Sequence, residues 1–475
     1  VPVPRDRVRF RITYEGGTVA GAVEGRLLVA MTSLPDVADP FQVGFMRLRD
    51  EWVAAVQVGP LARGGRVEVD PDALAWPRPF STAPKGRYRI ATRLVRPGAV
   101  ELRGPVVERT FDPASADPID LSLASTEAPV SPPHESEGVK VVAYESRLLS
   151  AFYGRPVVMN ATVELPAGYT RERRYPAEYY IRGLGSSFSL ANREAEGERQ
   201  KRVDGGYPPM VRVVLSGMLP SGHHVFADSV NDGPWGRAFV EELVPEIERR
   251  FSLTASPRGR FVAGHSSGGW AALWLQITHP DFFGGAWATA PDPVDFRSFH
   301  GLDVTPGSRA NAFHDEQGAP RGLMRAEGRD LYSFEDFLRF EDVEGEVLLG
   351  TFDGVFSPRG PMGEPMRLFD RATGEQDPAV QRAWEKWDVR KVLDAGWKTL
   401  GPKLKGKLHV FAGDADSFRL NESVSLLCRF LESKKSDATC EIVPGKNHFN
   451  LLGDPADKGS LVWRIEHEMA KGARR

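Results

Sequence analysis

The run Arg260-Phe261-Val262-Ala263-Gly264-His265-Ser266-Ser267-Gly268-Gly269-Trp270 joins three local signals. Arg260 to Ala263 reads as a short apolar strand. The middle spells Gly-x-Ser-x-Gly, and Trp270-Ala271-Ala272-Leu273-Trp274-Leu275-Gln276 supplies good helix formers. A strand that turns sharply into a helix at a serine is a nucleophile elbow. Glycine suits positions 264 and 268 because side chains there would collide with the neighbouring strand and helix. The Ser267 amide would point at a developing oxyanion, at a helix N-terminus where the dipole favours negative charge. Loops also spell this pattern by chance, so the rest of the chain must supply an acid, a base and a second oxyanion donor.

Downstream, Lys407-Leu408-His409-Val410-Phe411-Ala412 reads as a strand entering Gly413-Asp414-Ala415-Asp416-Ser417. A helix over about 422–431 and a strand over 439–443 follow, and then Pro444-Gly445-Lys446-Asn447-His448. Ser266, Asp416 and His448 thus appear in the order serine, acid, histidine, each just past the end of an expected parallel strand, where open α/β sheets bind ligands. Asp414 is a rival acid. Asp416 is preferred because Gly-x-x-Asp gives a tight turn before the carboxylate reaches back over the strand ends. His265 is expected to pack or hydrogen bond rather than act as the base. Upstream, Glu178-Tyr179-Tyr180-Ile181 runs into Arg182-Gly183-Leu184-Gly185-Ser186, and the Leu184 amide is nominated as second oxyanion donor, with Gly185 as the alternative. Gly284 to Ala290 reads as a strand that ends in Pro291-Asp292-Pro293. Asp292, Trp270 and Trp287 are assigned to substrate binding. His223 and His224 lack a third ligand at any metal-site spacing, so neither a metal nor a cofactor is expected.

Length and composition set the outer bounds. The 475 residues, 41% hydrophobic, suffice for two domains. A formal net charge of −3 argues against general nucleic-acid binding. No apolar run is long enough to span a membrane. The start Val1-Pro2-Val3-Pro4 reads as a trimmed N-terminus. Residues 1–124 show short alternating strands, such as Val8 to Ile12 and Arg66 to Asp70, and are expected to form an all-β sandwich. Residues 125–138, rich in proline and polar side chains, read as a linker. From 139 to 475 the pattern is α/β, opening with an antiparallel hairpin (Val141 to Leu149 and Val157 to Leu165) and including β-like Val225 to Asp228. A helix with an apolar stripe precedes the elbow, and Pro245 should kink it or face outward. From Phe296 to about Leu400 the alternation lapses, with one helix expected at 379–393. This insertion is a candidate lid or substrate wall. Cys428 and Cys440 are either two buried thiols or a local disulfide.

These motifs resemble the esterase branch of the α/β-hydrolases, which includes enterochelin esterase-like proteins, feruloyl esterases, S-formylglutathione hydrolases and mycolyltransferases. The matching stretches are Glu178 to Ser186, Asn231-Asp232-Gly233-Pro234-Trp235-Gly236, Gly264 to Gly269, His279-Pro280-Asp281-Phe282-Phe283, Gly413 to Asp416 and His448. The resemblance implies an α/β-hydrolase fold, a triad of Ser266, Asp416 and His448, carboxylic-ester substrates and no metal. A β-sandwich ahead of the hydrolase unit is similar to the enterochelin esterase arrangement. Arg182 departs from the histidine that relatives usually carry before the oxyanion glycine, and the insertion is unusually long. The expected activity is hydrolysis of a small-molecule or glycan-linked ester through an acyl-enzyme. The alternatives are an acyltransferase or peptidase with the same triad, or a binding protein on a hydrolase scaffold. A secreted or periplasmic location is expected, with cytoplasmic as the alternative, and homo-oligomerisation is left open.

Overall fold

Two strand patterns sort the chain into two units. The computed structural model describes residues 8–17, 21–43, 45–96, 101–125, 133–345 and 348–473. The opening Val1 to Pro4 and residues 126–132 of the expected linker lie outside the described residues.

One unit groups Val1–Pro132 with Asp336–Val347. Its strands alternate: in Phe10–Gly17 the side chains of Phe10, Ile12 and Tyr14 are buried while their neighbours face outward. Nine strands among the described residues form one hydrogen-bonded network. The first, Phe10–Gly17, lies parallel to the last, Ile119–Ser125, and Gly86–Val95 pairs with three different strands. The apolar faces meet in one core that includes Leu27, Val29, Met31, Phe80, Tyr88 and Phe111. Residues 336–347 come from inside the expected insertion yet belong here. Phe340 stands edge-on to Trp76 at 5.8 Å, and Glu344 pairs with Arg93.

The other unit, Pro133–Glu335 with Leu348–Arg475, is built on an eight-stranded sheet. Its strands are β1 Val139–Glu145, β2 Val158–Glu164, β3 Ala177–Ile181, β4 Val211–Leu215, β5 Arg260–His265, β6 Gly285–Thr289, β7 Leu408–Gly413 and β8 Thr439–Val443. They lie in the order β1-β2-β4-β3-β5-β6-β7-β8. β2 is antiparallel to both neighbours, and the other pairs are parallel. β4 and β6 are buried along their whole length, as central strands covered on both faces must be. This is the α/β-hydrolase arrangement expected from the sequence.

Three local expectations change. β1 ends at Glu145 rather than running to Leu149, because Ser146 caps a helix, Arg147–Tyr153. The Ser146 hydroxyl oxygen accepts from the Leu149 amide at 3.1 Å, and Gly154 ends the helix at φ 65°. Residues 225–228 form no strand of the kind expected. The ring nitrogens of His223 and His224 accept the amides of Val225 and Phe226 at 3.0 and 3.1 Å, and both residues take left-handed φ of 42° and 50°. The helix expected over 379–393 is two, Pro378–Trp384 and Val389–Lys403, split where Asp388 caps the second through the Lys391 amide. Pro245 faces outward, one of the two outcomes expected, and before it the chain makes one π turn, Phe239–Leu243, whose register is set by Val244 N–H donating to Phe239 O.

The part of the insertion in this unit is firmly packed. Phe296, Phe299, Phe352, Phe356, Trp384 and Trp387 pack against one another, mostly edge-on or tilted, with centroids about 5–6 Å apart. The elbow helix, Ser267–Thr278, adds Trp270 and Trp274 to the same block.

Cys428 and Cys440 are joined by a disulfide that ties the helix Leu420–Ser433 to β8. Replacing Cys428→Ser and Cys440→Ser together should cost about 2–4 kcal/mol, the usual return for closing a short loop. The measurement is the midpoint of thermal unfolding. A reducing agent should reproduce the drop in the wild type and leave the double variant unchanged.

Candidate active site

The site assembles at the C-terminal ends of β3, β5, β6, β7 and β8. Ser266, directly after β5, has φ 59° and ψ −125°, a conformation that costs a non-glycine residue about 1–3 kcal/mol. Tight backbone packing holds it there. A β-carbon on Gly264 would lie 2.2 Å from the Gly268 carbonyl oxygen, and one on Gly268 would lie 2.0 Å from that of Ile181. The Ser266 amide donates to Thr289 O at 2.9 Å, and its carbonyl accepts from the Asp292 amide at 3.2 Å. Ser267 opens the helix, where backbone N–H groups have no intrahelical acceptor.

Asp416 and His448 meet at 2.9 Å through Oδ2 and Nδ1. Asp416 is fully buried and His448 only 5% exposed. Burial alone would raise the Asp416 pKa. The bond to His448, its charge, and the amides of Phe418 and Leu420 outweigh burial and hold the carboxyl below the usual carboxylate range. Ionised Asp416 therefore accepts a hydrogen bond from His448 Nδ1. Asp414, the rival acid, is exposed and instead accepts the Gly445 amide at 2.8 Å.

The loop after β3 lies against Ser266: a β-carbon on Gly183 would come within 3.1 Å of Ser266 Cβ. Ser186 N–H donates to Gly183 O across a turn with Gly185 at φ 82°. Of the two nominated oxyanion donors, the Gly185 amide donates to Met218 Sδ at 3.1 Å. His223 Nε2 donates to Arg182 O at 2.9 Å and so pins the base of this loop. Burial lowers the His223 pKa to about 4, so the ring is neutral. Arg182 itself pairs with Glu194 at 2.7 Å.

Of the three residues expected to bind substrate, only Asp292 is beside the serine. It is 3% exposed, and the hydroxyls of Ser267 and Ser266 act on its carboxyl. Trp270 is 1% exposed and stacks between Trp274 and Phe356. Trp287 is 4% exposed and stacks on His409 at 4.3 Å, in the middle of β6 rather than at its end. Both rings are therefore packing residues, because their surfaces are covered by other rings. His265 packs on His448 at 4.7 Å, with its Nδ1 3.1 Å from Thr289 Oγ1.

Sequence reasoning missed the walls and the clamp. Phe418 and Phe449 stand edge-on to His448 at 4.9 and 5.4 Å, and Phe449 is 58% exposed. The available signal was position, since each lies within two residues of the acid or the base. Arg325, from the insertion hairpin formed by the strands Gly322–Ala326 and Arg329–Ser333, donates through Nε to Asp416 O at 2.9 Å and through a terminal nitrogen to Asp414 O at 3.2 Å. No group of three or more metal-ligating side chains converges among the described residues, and no helix among them is long and apolar enough to cross a membrane.

The model of the family described as "Putative esterase" matches residues 156–391. Esterase MT1326 and Esterase Rv1288, from two strains of Mycobacterium tuberculosis, are each 27% identical over 266 residues, 54% of this chain and 54% of theirs. The chain thus matches about half the length of these curated relatives. Among solved structures, a ferulic acid esterase is similar at 14% identity and TM-score 0.42, covering 71% of this chain and 97% of its own. An S-formylglutathione hydrolase from Agrobacterium tumefaciens gives 16% identity and TM-score 0.39, covering 72% and 97%.

Because the folded Asp416 carboxyl titrates below its ordinary value, its stabilisation is complete above about pH 4 and is lost as pH falls through the depressed value. Asp416→Asn should therefore give a shallower acid-side fall in melting temperature than the wild type, measured between about pH 3 and 7. Gly268→Ala should cost at least about 2 kcal/mol in urea unfolding, since backbone and not a flexible side chain occupies the space.

Proposed function

We propose, from the match of the esterase family model to residues 156–391 and from the geometry around Ser266, that this chain hydrolyses carboxylic esters as a serine hydrolase. The observation that carries the reading is the buried His448–Asp416 bond of 2.9 Å, on the sheet edge where Ser266 is held in the elbow conformation.

Ser266 Oγ attacks the ester carbonyl while His448 Nε2 takes its proton. Asp416 remains ionised, holds the Nδ1 proton and stabilises the imidazolium that forms. The amides of Ser267 and Leu184 receive the oxyanion; a single donor of this kind is worth about 10²–10³ in rate. His448 returns the proton to the alcohol as the C–O bond breaks, leaving an acyl-Ser266. Water, deprotonated by the same imidazole, then attacks the acyl carbon; the acid departs and Ser266 regains its proton. Phe418 and Phe449 line the approach to His448 and would receive an apolar part of a small or glycan-linked ester. The Cys428–Cys440 disulfide supports work in an oxidising compartment, secreted or periplasmic.

Ser266→Ala should lower kcat on p-nitrophenyl acetate by about 10⁴-fold or more and abolish labelling by a fluorophosphonate probe. Turnover by that variant at the wild-type rate would overturn the reading. Asp416→Asn should cost about 10³–10⁴ in kcat, while Asp414→Asn should stay close to wild type.

A further inference from the structure

One buried charge at the nucleophile has no part in acyl transfer. Asp292 follows β6, on a loop fixed by the same backbone that holds the elbow. The Ala290 amide donates to Phe411 O at 2.6 Å with φ at 41°, and the Asp292 amide donates to Ser266 O at 3.2 Å. Prolines flank it on both sides, and a β-carbon on Gly269 would lie 3.1 Å from Pro291 Cα. The carboxyl is therefore held beside Ser266 by rigid chain and does not hang free in a loop.

Its surroundings do not satisfy it. Oδ2 is buried and accepts no hydrogen bond from the described residues. Burial raises its pKa to about 6, and the hydroxyls of Ser267 and Ser266 with the charge of His448 pull it only part of the way back. The one other charged side chain acting on it is Asp416, also an acid. Other buried acids nearby are paired. Asp295, three residues on, is held by Arg297 at 2.6 Å. Asp388 accepts the amides of Phe296 and Lys391. Asp416 has His448 and two amides. A buried carboxylate is expensive to leave without donors, so folded proteins nearly always supply them. Among the described residues Glu164 and Glu344 also keep one buried oxygen without a donor, but each has an arginine beside it, whereas Asp292 has no cationic side chain other than His448 acting on it.

We propose that Asp292 is a specificity-determining residue that selects esters carrying a hydrogen-bond donor, a hydroxyl or an ammonium, close to the scissile carbonyl. This rests on Ser266 being the nucleophile. An ester with such a donor pairs the carboxylate as it binds. One without it leaves Oδ2 buried without a donor, which is how a polar site rejects an apolar analogue.

The test compares kcat/KM for four esters: ethyl butyrate, with no donor; ethyl 3-hydroxybutyrate and β-alanine ethyl ester, with a hydroxyl or an ammonium on the acyl side; and 2-hydroxyethyl butyrate, with a hydroxyl on the alcohol side. The wild type should favour at least one donor-bearing ester over ethyl butyrate by roughly 10- to 100-fold, the range of a charge-assisted hydrogen bond. Which ester is favoured identifies the donor and its side. Asp292→Asn, which keeps the shape and removes the charge, should shrink that ratio about tenfold or more, and Asp292→Leu should bring it near one. Fluorophosphonate labelling of Ser266 checks that each variant keeps its elbow. Equal wild-type rates on all four esters, or a preference intact in either labelled variant, would overturn the role of Asp292. No hydrolysis of any ester together with no labelling of wild-type Ser266 would instead overturn the serine esterase reading itself.

Discussion

Three stretches of backbone meet behind Ser266 with no room for a β-carbon. The end of β5, the first turn of the elbow helix and the Ile181 carbonyl at the end of β3 approach so closely that Gly264 and Gly268 have no substitute. The loop bearing Leu184 begins at that same carbonyl, and Gly183 rests against Ser266. Nucleophile and proposed oxyanion donor thus share one rigid support, and electrostatic help that needs no reorganisation depends on that. The parallel register carries the order outward: Ile181 pairs with Gly264, His265 with Thr289, Thr289 with Phe411 and Gly413 with Val443. Each strand end then places one group of the site.

The starts and ends of these strands treat charge differently. Near the starts of β3 and β4, Arg212 bonds Glu178 at 3.0 Å and lies 4.0 Å from the centre of the Tyr180 ring, while Arg202 bonds Glu466 at 2.8 Å. Those charges neutralise one another and serve the fold, since breaking such a buried pair leaves an uncompensated ion. At the strand ends, Asp416 is compensated by its imidazole and two amides, whereas Oδ2 of Asp292 has no hydrogen-bond partner among the described residues.

Much of this was legible in the residues, for physical reasons. Glycines at a fixed spacing around a serine report a close backbone approach that no other side chain permits. Alternating strands and helices put an acid and a histidine after successive strands. Other features depend on partners distant in sequence. Trp270 and Trp287 announce burial, but strand and helix periods do not say whether a ring faces a guest or another ring. The left-handed turn at Val225 and Phe226 exists because two imidazoles capture their amides. Asp388 breaks a helix inside a run whose apolar spacing continues through it. That residues 336–347 join the N-terminal unit is a purely tertiary fact.

Arg325 changes what the insertion means for engineering. Its guanidinium grips the main-chain carbonyls of Asp416 and Asp414, and its own amide donates to Ser417 O at 2.7 Å. The acid's loop is therefore shaped from outside by a hairpin that a smaller hydrolase would lack. Pruning the hairpin to build a minimal enzyme would remove the mould of the acid along with the decoration. Side-chain exchange on the hairpin's outer face, with Arg325 retained, is the route by which such a scaffold can be diversified.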